Sequence, residues 1–248
     1  VQNYTDMGFF SVLLFLFIKE KEDLLLYVAL TAATGLLGNI SMWGHLKNFL
    51  VKVDRRSLKI GRHFKETLVY FVPTIATSVY TILDKTMLGW FTGNNKSENG
   101  YYEYATGFVN MSKILIMSFN AVMSARMSFL FGEGRLEEVR RRAERSLDFV
   151  LLMAFPIMMG LAGIAAGFVP WFLGDDYGPV VKLLYVCSPL VLVVGLSDYM
   201  GSQILTPGGK RAVSGKVIVA GAAVNFFLNL LLIPRFHAAG AAGASVAA

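Results

Sequence analysis

Residues 132–173 read GEGRLEEVRRRAERSLDFVLLMAFPIMMGLAGIAAGFVPWFL. The first part, 132–146, carries Arg135, Arg140, Arg141, Arg142 and Arg145. The second part, 147–173, is an apolar run whose one charged residue is Asp148, at its start. A helix needs about 20 apolar residues to cross the hydrocarbon core of a bilayer. An apolar run of that length behind a short arginine-rich loop is the pattern of a membrane span with its basic flank on the cytoplasmic side.

The same pattern recurs along the chain. Apolar segments fall at roughly 5–18, 24–43, 67–91, 102–131, 147–173, 180–205 and 213–233, and another begins at 238. The first is short, either a clipped span or a re-entrant piece. Over the 248 residues 55% are hydrophobic and 16% charged, against about 25% charged in soluble domains. The mean hydropathy is +0.54. A soluble domain of this size has too little polar surface to cover so much apolar side chain, whereas lipid removes that need. No strand-like alternation is present, which argues against a β-barrel. The expected fold is an all-α, polytopic transmembrane helix bundle. Pro73, Pro156 and Pro189 lie inside apolar runs, where neighbouring helices can absorb their kinks. Cys187 is the single cysteine, so no disulfide framework exists.

The charge asymmetry sets an orientation. Loop 44–66 holds seven Lys and Arg, loop 132–146 five and loop 206–216 three, fifteen in all against five in the alternate loops. The richer loops are expected in the cytoplasm, which makes the chain a multi-pass protein of the cytoplasmic membrane. The net charge of +6 thereby belongs to topology and does not call for a nucleic-acid partner. In loop 44–66, Leu46, Phe49, Leu50 and Val53 recur at helical spacing, which fits an amphipathic helix on the inner membrane face or an ordinary loop. The chain begins at Val1 and ends inside AAGAAGASVAA at 238–248; both ends read as cuts within a longer protein.

Three of the 23 basic residues lie within the predicted spans: Lys85, Lys113 and Arg126. A cation at a helix centre costs roughly 2.5–3.5 kcal/mol on insertion scales and normally faces a bundle interior or a wet cavity. Thr74, Ser78, Thr81 and Lys85 step by four, three and four, along one helical face flanked by Thr77 and Asp84. In the next segment Asn110, Lys113, Met117, Asn120 and Ser124 recur at similar spacing. Two polar stripes, each with a cation, are expected to line one aqueous cavity that attracts a phosphate or diphosphate. The alternative is glue, with Asp84 pairing to Lys113 between the helices. Arg126, a turn from the cytoplasmic end of its segment, fits snorkelling better than substrate contact. Asp198, near Ser202 and Gln203, can carry a coupling ion or satisfy a neighbour. Asn225 and Asn229 are expected to bond between helices. Tyr101, Tyr102 and Tyr104 fit an outer aromatic belt.

Enzymatic signals are poor. His45, His63 and His237 have no metal-ligand spacing, and no nucleophile motif or phosphate-cradling glycine loop occurs. GEG at 132–134 reads as a turn after a helix. No cofactor is expected.

FVPTIATSVYTILDKTMLGWFTG (71–93) followed by GYYEYATGFVNMSKI (100–114) closely resembles the start of the second helix bundle in bacterial polysaccharide flippases. These are the Wzx-type oligosaccharide transporters of the multidrug/oligosaccharidyl-lipid/polysaccharide superfamily, relatives of the MATE drug exporters and the lipid II flippase. AVMSARMSFLFGEGRLEEVRRRAERSL (121–147) resembles the family's next helix end, turn and helix start, with Ala125 where the family often has Pro before the Arg. SDYMGSQILTPGGKRAVSGKV (197–217) and NLLLIPRFHAAGAAGASVA (229–247) are similar to later stretches. The resemblance implies two lobes around a central cavity. Residues 1–43 would end the first lobe, 44–66 would form the basic cytoplasmic linker, and 67–248 would begin the second lobe.

The resemblance also implies a non-enzymatic function, the flipping of an undecaprenyl-diphosphate-linked oligosaccharide to the outer leaflet by alternating access. The partners implied are that lipid-linked oligosaccharide, membrane lipid and other polysaccharide-assembly membrane proteins. Lys85, Lys113, Asp84, Asn110, Asn120 and Arg126 are the expected substrate contacts, and Asp84 or Asp198 the expected ion carrier. The rival readings are a cation-coupled drug exporter, which would want an acidic cavity, a membrane-embedded polymerase, which would want a sizeable outer loop, and a structural membrane subunit.

Overall fold

A computed structural model describes residues 24–46, 60–93 and 96–248, and among these every regular element is helical. The first apolar segment and most of the basic stretch 44–66 lie outside the described residues. The chain divides into two compact units, Val1–Ile60 and Gly61–Ala248. The described part of the first unit is helix α1, Leu24–Leu46. Thr31 and Thr34 on α1 donate to the carbonyls of Tyr27 and Leu30, four residues back, at 2.7 and 2.8 Å. Hydroxyls at those positions are thus satisfied within the helix.

The second unit opens with α2, Ile60–Phe91, and α3, Lys96–Gly132. Helix α2 begins seven residues before the apolar segment, because basic residues are good helix formers once a neighbouring turn is in place. Helix α3 stops at the GEG turn. Gly134 has φ 71°, and the amides of Gly134 and Arg135 bond the carbonyls of Phe131 and Leu130, each at 3.1 Å. This is a Schellman closure, which needs a left-handed residue after the helix end and therefore glycine. Helix α4, Leu136–Leu173, follows at once, so most of the arginine-rich loop is its first turns.

The segment expected as one span over 180–205 is instead broken. A short turn, Asp175–Tyr177, leads into α5, Gly178–Cys187, and then α6, Leu190–Asp198. Residues Tyr199–Leu205 form a π-helical stretch. The two halves meet at 44°. Pro189 supplies the cause: it has no amide proton to donate to the carbonyl of Tyr185. The Ser188 hydroxyl bonds that carbonyl in its place, at 3.2 Å.

The last helix, α7, is Arg211–Ala247, interrupted at His237, where φ is 52° and ψ −129°. The chain reverses there. A Cβ on Gly240 would lie 2.5 Å from the Leu232 carbonyl oxygen, and one on Gly221 would lie 3.2 Å from that of Ala248. The small-residue run 238–248 therefore packs back along α7, and glycine and alanine permit that backbone approach. The eighth apolar segment is present as this return.

By length and composition Ser97–Gly132, Leu136–Leu173 and Arg211–Ala247 can each cross a membrane, and a fourth span results if the bent pair counts as one. The part of α7 before the reversal is about 39 Å long and suffices alone. The core of this unit holds Leu88, Val109, Ile116, Val150, Leu184 and Ile233. Large apolar residues such as Val122, Leu152, Met159 and Leu231 are exposed, as lipid requires. The protein is an all-α membrane helix bundle.

Gly134→Ala forces a left-handed alanine and costs roughly 1 kcal/mol. Thermal unfolding of the purified full-length protein in detergent should show a midpoint lower by a few degrees, with helix content unchanged.

Candidate functional site

Asp84 lies seven residues before the end of α2 and is 2% exposed. Three neutral donors hold its carboxylate. The Tyr102 hydroxyl on α3 donates to Oδ2 at 3.0 Å, and the Ser245 hydroxyl on the returning segment donates to the same oxygen at 2.9 Å. The Asn229 amide on α7 donates to Oδ1 at 2.5 Å. Asn229 also donates to Asn225 Oδ1 at 3.0 Å. No cation pairs with Asp84 among the described residues, so the expected Asp84–Lys113 bridge does not form. Short hydroxyls and amides fit between packed helices, where an ammonium on a four-carbon stem does not. Asn229 bonds between helices, as expected, whereas Asn225 accepts from Asn229 within α7. Tyr102 is buried here and does not belong to the aromatic belt, because its hydroxyl reaches the carboxylate.

Lys85, the next residue, projects to the other side of α2. It is exposed, and its ammonium forms an ion pair with Glu103 on α3. Thr74, Ser78 and Thr81 are exposed along the same face. Lys113 is half-buried and has no ion-pair partner among the described residues. Asn110 and Arg126 are exposed. The expected excess of positive charge on the stripes is thus reduced by Glu103, leaving Lys113 as the one of the two lysines without a carboxylate partner among the described residues. A cleft of about 250 Å³ is lined by Ser97, Gly100, Tyr101, Tyr104, Asp176 and Tyr177; neither lysine reaches it.

Asn120 belongs to a second polar cluster. Its amide donates to Asp198 Oδ2 at 2.9 Å and to the Gly195 carbonyl at 3.2 Å. Its own oxygen accepts from the Gln203 amide at 2.7 Å, and Gln203 Oε1 accepts from the Ser146 hydroxyl at 2.7 Å. Ser124 donates to the Ser202 carbonyl at 2.7 Å. Helices α3, α4 and α6 and the π-helical stretch are joined here. Asn120 and Asp198 are thereby committed to protein partners, with Asp198 half-buried.

Tyr102, Glu103 and Ser245 are the residues that sequence reasoning missed. Glu103 stood beside the quoted tyrosines, and opposite charge to Lys85 was the available signal. Ser245 sits in a run of alanine and glycine with nothing to mark it.

Asp84→Ala leaves the Asn229 amide and two hydroxyls without their acceptor and should destabilise the protein by about 2–4 kcal/mol. Asp84→Asn keeps an acceptor and the shape, so its loss should be less than half of that. Thermal unfolding of both variants checks the order.

The family described as polysaccharide biosynthesis protein matches residues 30–182. A putative O-antigen transporter of Escherichia coli strain K12 is 23% identical over 234 residues, 93% of this chain and 55% of that protein. A putative O-antigen transporter of Shigella dysenteriae is 24% identical over 238 residues, 92% of this chain and 57% of that protein. An uncharacterized membrane protein of Methanocaldococcus jannaschii is 26% identical over 160 residues, 64% of this chain and 31% of that protein. The chain thus spans from about a third to just over half of the length of these relatives. No solved structure matches. With the family match covering more than half of its residues, the chain belongs to the polysaccharide biosynthesis protein family.

Proposed function

We propose that the protein is a non-enzymatic transporter that flips a polyprenyl-diphosphate-linked oligosaccharide across the cytoplasmic membrane. One observation carries the reading. Within the apolar segment of α2, Thr74, Ser78, Thr81 and Lys85 are exposed along a single face. Lipid would make such a face costly, with a lysine alone worth roughly 2.5–3.5 kcal/mol. The face suits an aqueous cavity completed by another part of the transporter. Lys113 and Asn110 extend it on α3. Lys113, with no carboxylate partner among the described residues, is the group best suited to a diphosphate. Lys85 can exchange Glu103 for substrate.

Membership of a polysaccharide biosynthesis family and likeness to putative O-antigen transporters support this substrate class. The richer Lys and Arg content of alternate loops supports a cytoplasmic position for the arginine-rich end. In the two-lobe arrangement, residues 67–248 would begin the second lobe. Asp84, buried among neutral donors and with no cation paired to it among the described residues, is the better candidate for a coupling proton or sodium ion than Asp198, which is only half-buried.

The test is export in cells that rely on the full-length protein. Lys113→Ala should cut surface polysaccharide at least tenfold and make the lipid-linked precursor accumulate, at normal protein level in the membrane. Lys85→Ala should have a smaller effect. Normal export by the Lys85→Ala/Lys113→Ala double variant would remove both lysines from the substrate path.

A further inference from the structure

Helix α4 carries six exposed residues, Arg141, Arg145, Asp148, Leu152, Phe155 and Met159, spaced by four, three, four, three and four. At 3.6 residues per turn they form one narrow stripe. The buried residues of the same helix, Val139, Ser146, Val150, Ala154, Leu161, Ala165 and Val169, lie on the opposite side. The stripe is therefore turned away from the core of the second unit, its apolar part suits lipid, and its last two turns toward the helix start end in two arginines.

The other arginines of this region are matched by carboxylates. Arg140 bonds Glu144 at 3.1 Å and Arg142 bonds Glu138 at 2.7 Å. Arg135 pairs with both Glu133 and Glu138. Arg141 and Arg145 have no ion pair or hydrogen bond among the described residues, and the same holds for Arg126 at the end of α3. The ring contact of Phe119 with Phe149, with centroids 4.2 Å apart, sets the register between these antiparallel helices. Seven residues on from Phe119 and seven back from Phe149 are Arg126 and Arg142, about 10 Å further along. Arg126 is thus level with the Arg141–Arg145 turn, on the neighbouring helix. Glu137 and Asp148, both exposed, lie on the same stripe, one turn before Arg141 and one turn after Arg145, and neither forms an ion pair among the described residues.

Depth places the group at a headgroup layer. Trp171, 79% exposed, stands at the far end of α4, and exposed tryptophans favour the membrane interface. Arg145 is 26 residues earlier, about 39 Å away, against about 40–45 Å for a bilayer with its headgroup regions. Guanidinium groups at that depth meet phosphodiesters, and a planar fork suits them.

We propose that Arg141 and Arg145, with Arg126 beside them, form a binding site for the headgroup of an anionic phospholipid, whose acyl chains lie along Leu152, Phe155 and Met159. The site faces outward into lipid and is separate from the Lys85 and Lys113 face.

The test uses the full-length protein in neutral detergent, titrated with dioleoylphosphatidylglycerol, dioleoylphosphatidylcholine or inorganic phosphate. Thermal stabilisation and lipid adducts in native mass spectrometry are the two readouts. Phosphatidylglycerol should bind and stabilise, with phosphatidylcholine and inorganic phosphate far weaker. The exposed double variant Arg141→Gln/Arg145→Gln should weaken phosphatidylglycerol binding by about 25-fold, from a roughly fivefold contribution per arginine near an anionic surface. The Arg140→Gln/Glu144→Gln variant, which removes a matched pair from the same turns, should bind as wild type. Equal binding of the two lipids by the wild type overturns the proposal, as does an unchanged affinity in the double variant. Equal stabilisation by inorganic phosphate would make this a free-anion site and overturn the lipid assignment. Should the double variant fail to fold, Arg145→Lys, which keeps the charge and loses the fork, must bind more weakly than wild type for the proposal to stand.

Discussion

A buried carboxylate with no cation paired to it among the described residues ties the second unit together. Asp84 belongs to α2, and its three donors come from α3, α7 and the segment that returns along α7. In a bilayer an unsatisfied polar group has no water to turn to, so this geometry is a strong constraint on how the four pieces pack. Removing Asn229 leaves Oδ1 without its donor, whereas Oδ2 keeps one hydroxyl if the other is lost. The return at His237 exists in the same frame, because Ser245 reaches Asp84 only if the chain doubles back. The glycines and alanines on both strands of that return let the backbones approach closely enough.

A second polar cluster performs the same task toward the arginine-rich end. There the break at Pro189 and the π-helical stretch after Asp198 leave backbone groups that a straight helix would satisfy. Asn120 and Ser124 donate to the carbonyls of Gly195 and Ser202, and Gln203 and Ser146 extend the cluster through side-chain bonds. A π-helical stretch in a helix often marks a place where side chains are re-aimed. Here it brings Gln203 inward, fully buried between Asn120 and Ser146. The two clusters share helix α3, which carries Tyr102 to one and Asn120 to the other. Between them lies Lys113, half-buried and without an ion-pair partner among the described residues, so the helix that fastens the bundle also carries the charge proposed to meet the substrate.

The outer surface divides in an orderly way. Apolar side chains face lipid, arginines gather at one end and exposed tryptophans Trp90 and Trp171 at the other. Matched arginines and glutamates keep the basic end from being a uniform positive field, leaving selected cations free at the membrane interface. The exposed polar face of α2 departs from this order, which is why function is sought there.

Hydropathy and spacing in the sequence determined the helices, their membrane character and the polar face of α2. These follow from local chemistry: the length of an apolar run, the 3.6-residue period, and the glycine at 134. The identity of Asp84, Asn225 and Asn229 as polar residues in apolar runs was also visible there. Their partnership was not, because it joins residues up to 161 positions apart through a chain reversal that no periodicity announces. The break near Pro189 was marked by proline, but its angle depends on what packs against it. Lys85 and Lys113 read alike in sequence. Only the tertiary structure separated them, by placing Glu103 within reach of one ammonium and no carboxylate among the described residues within reach of the other.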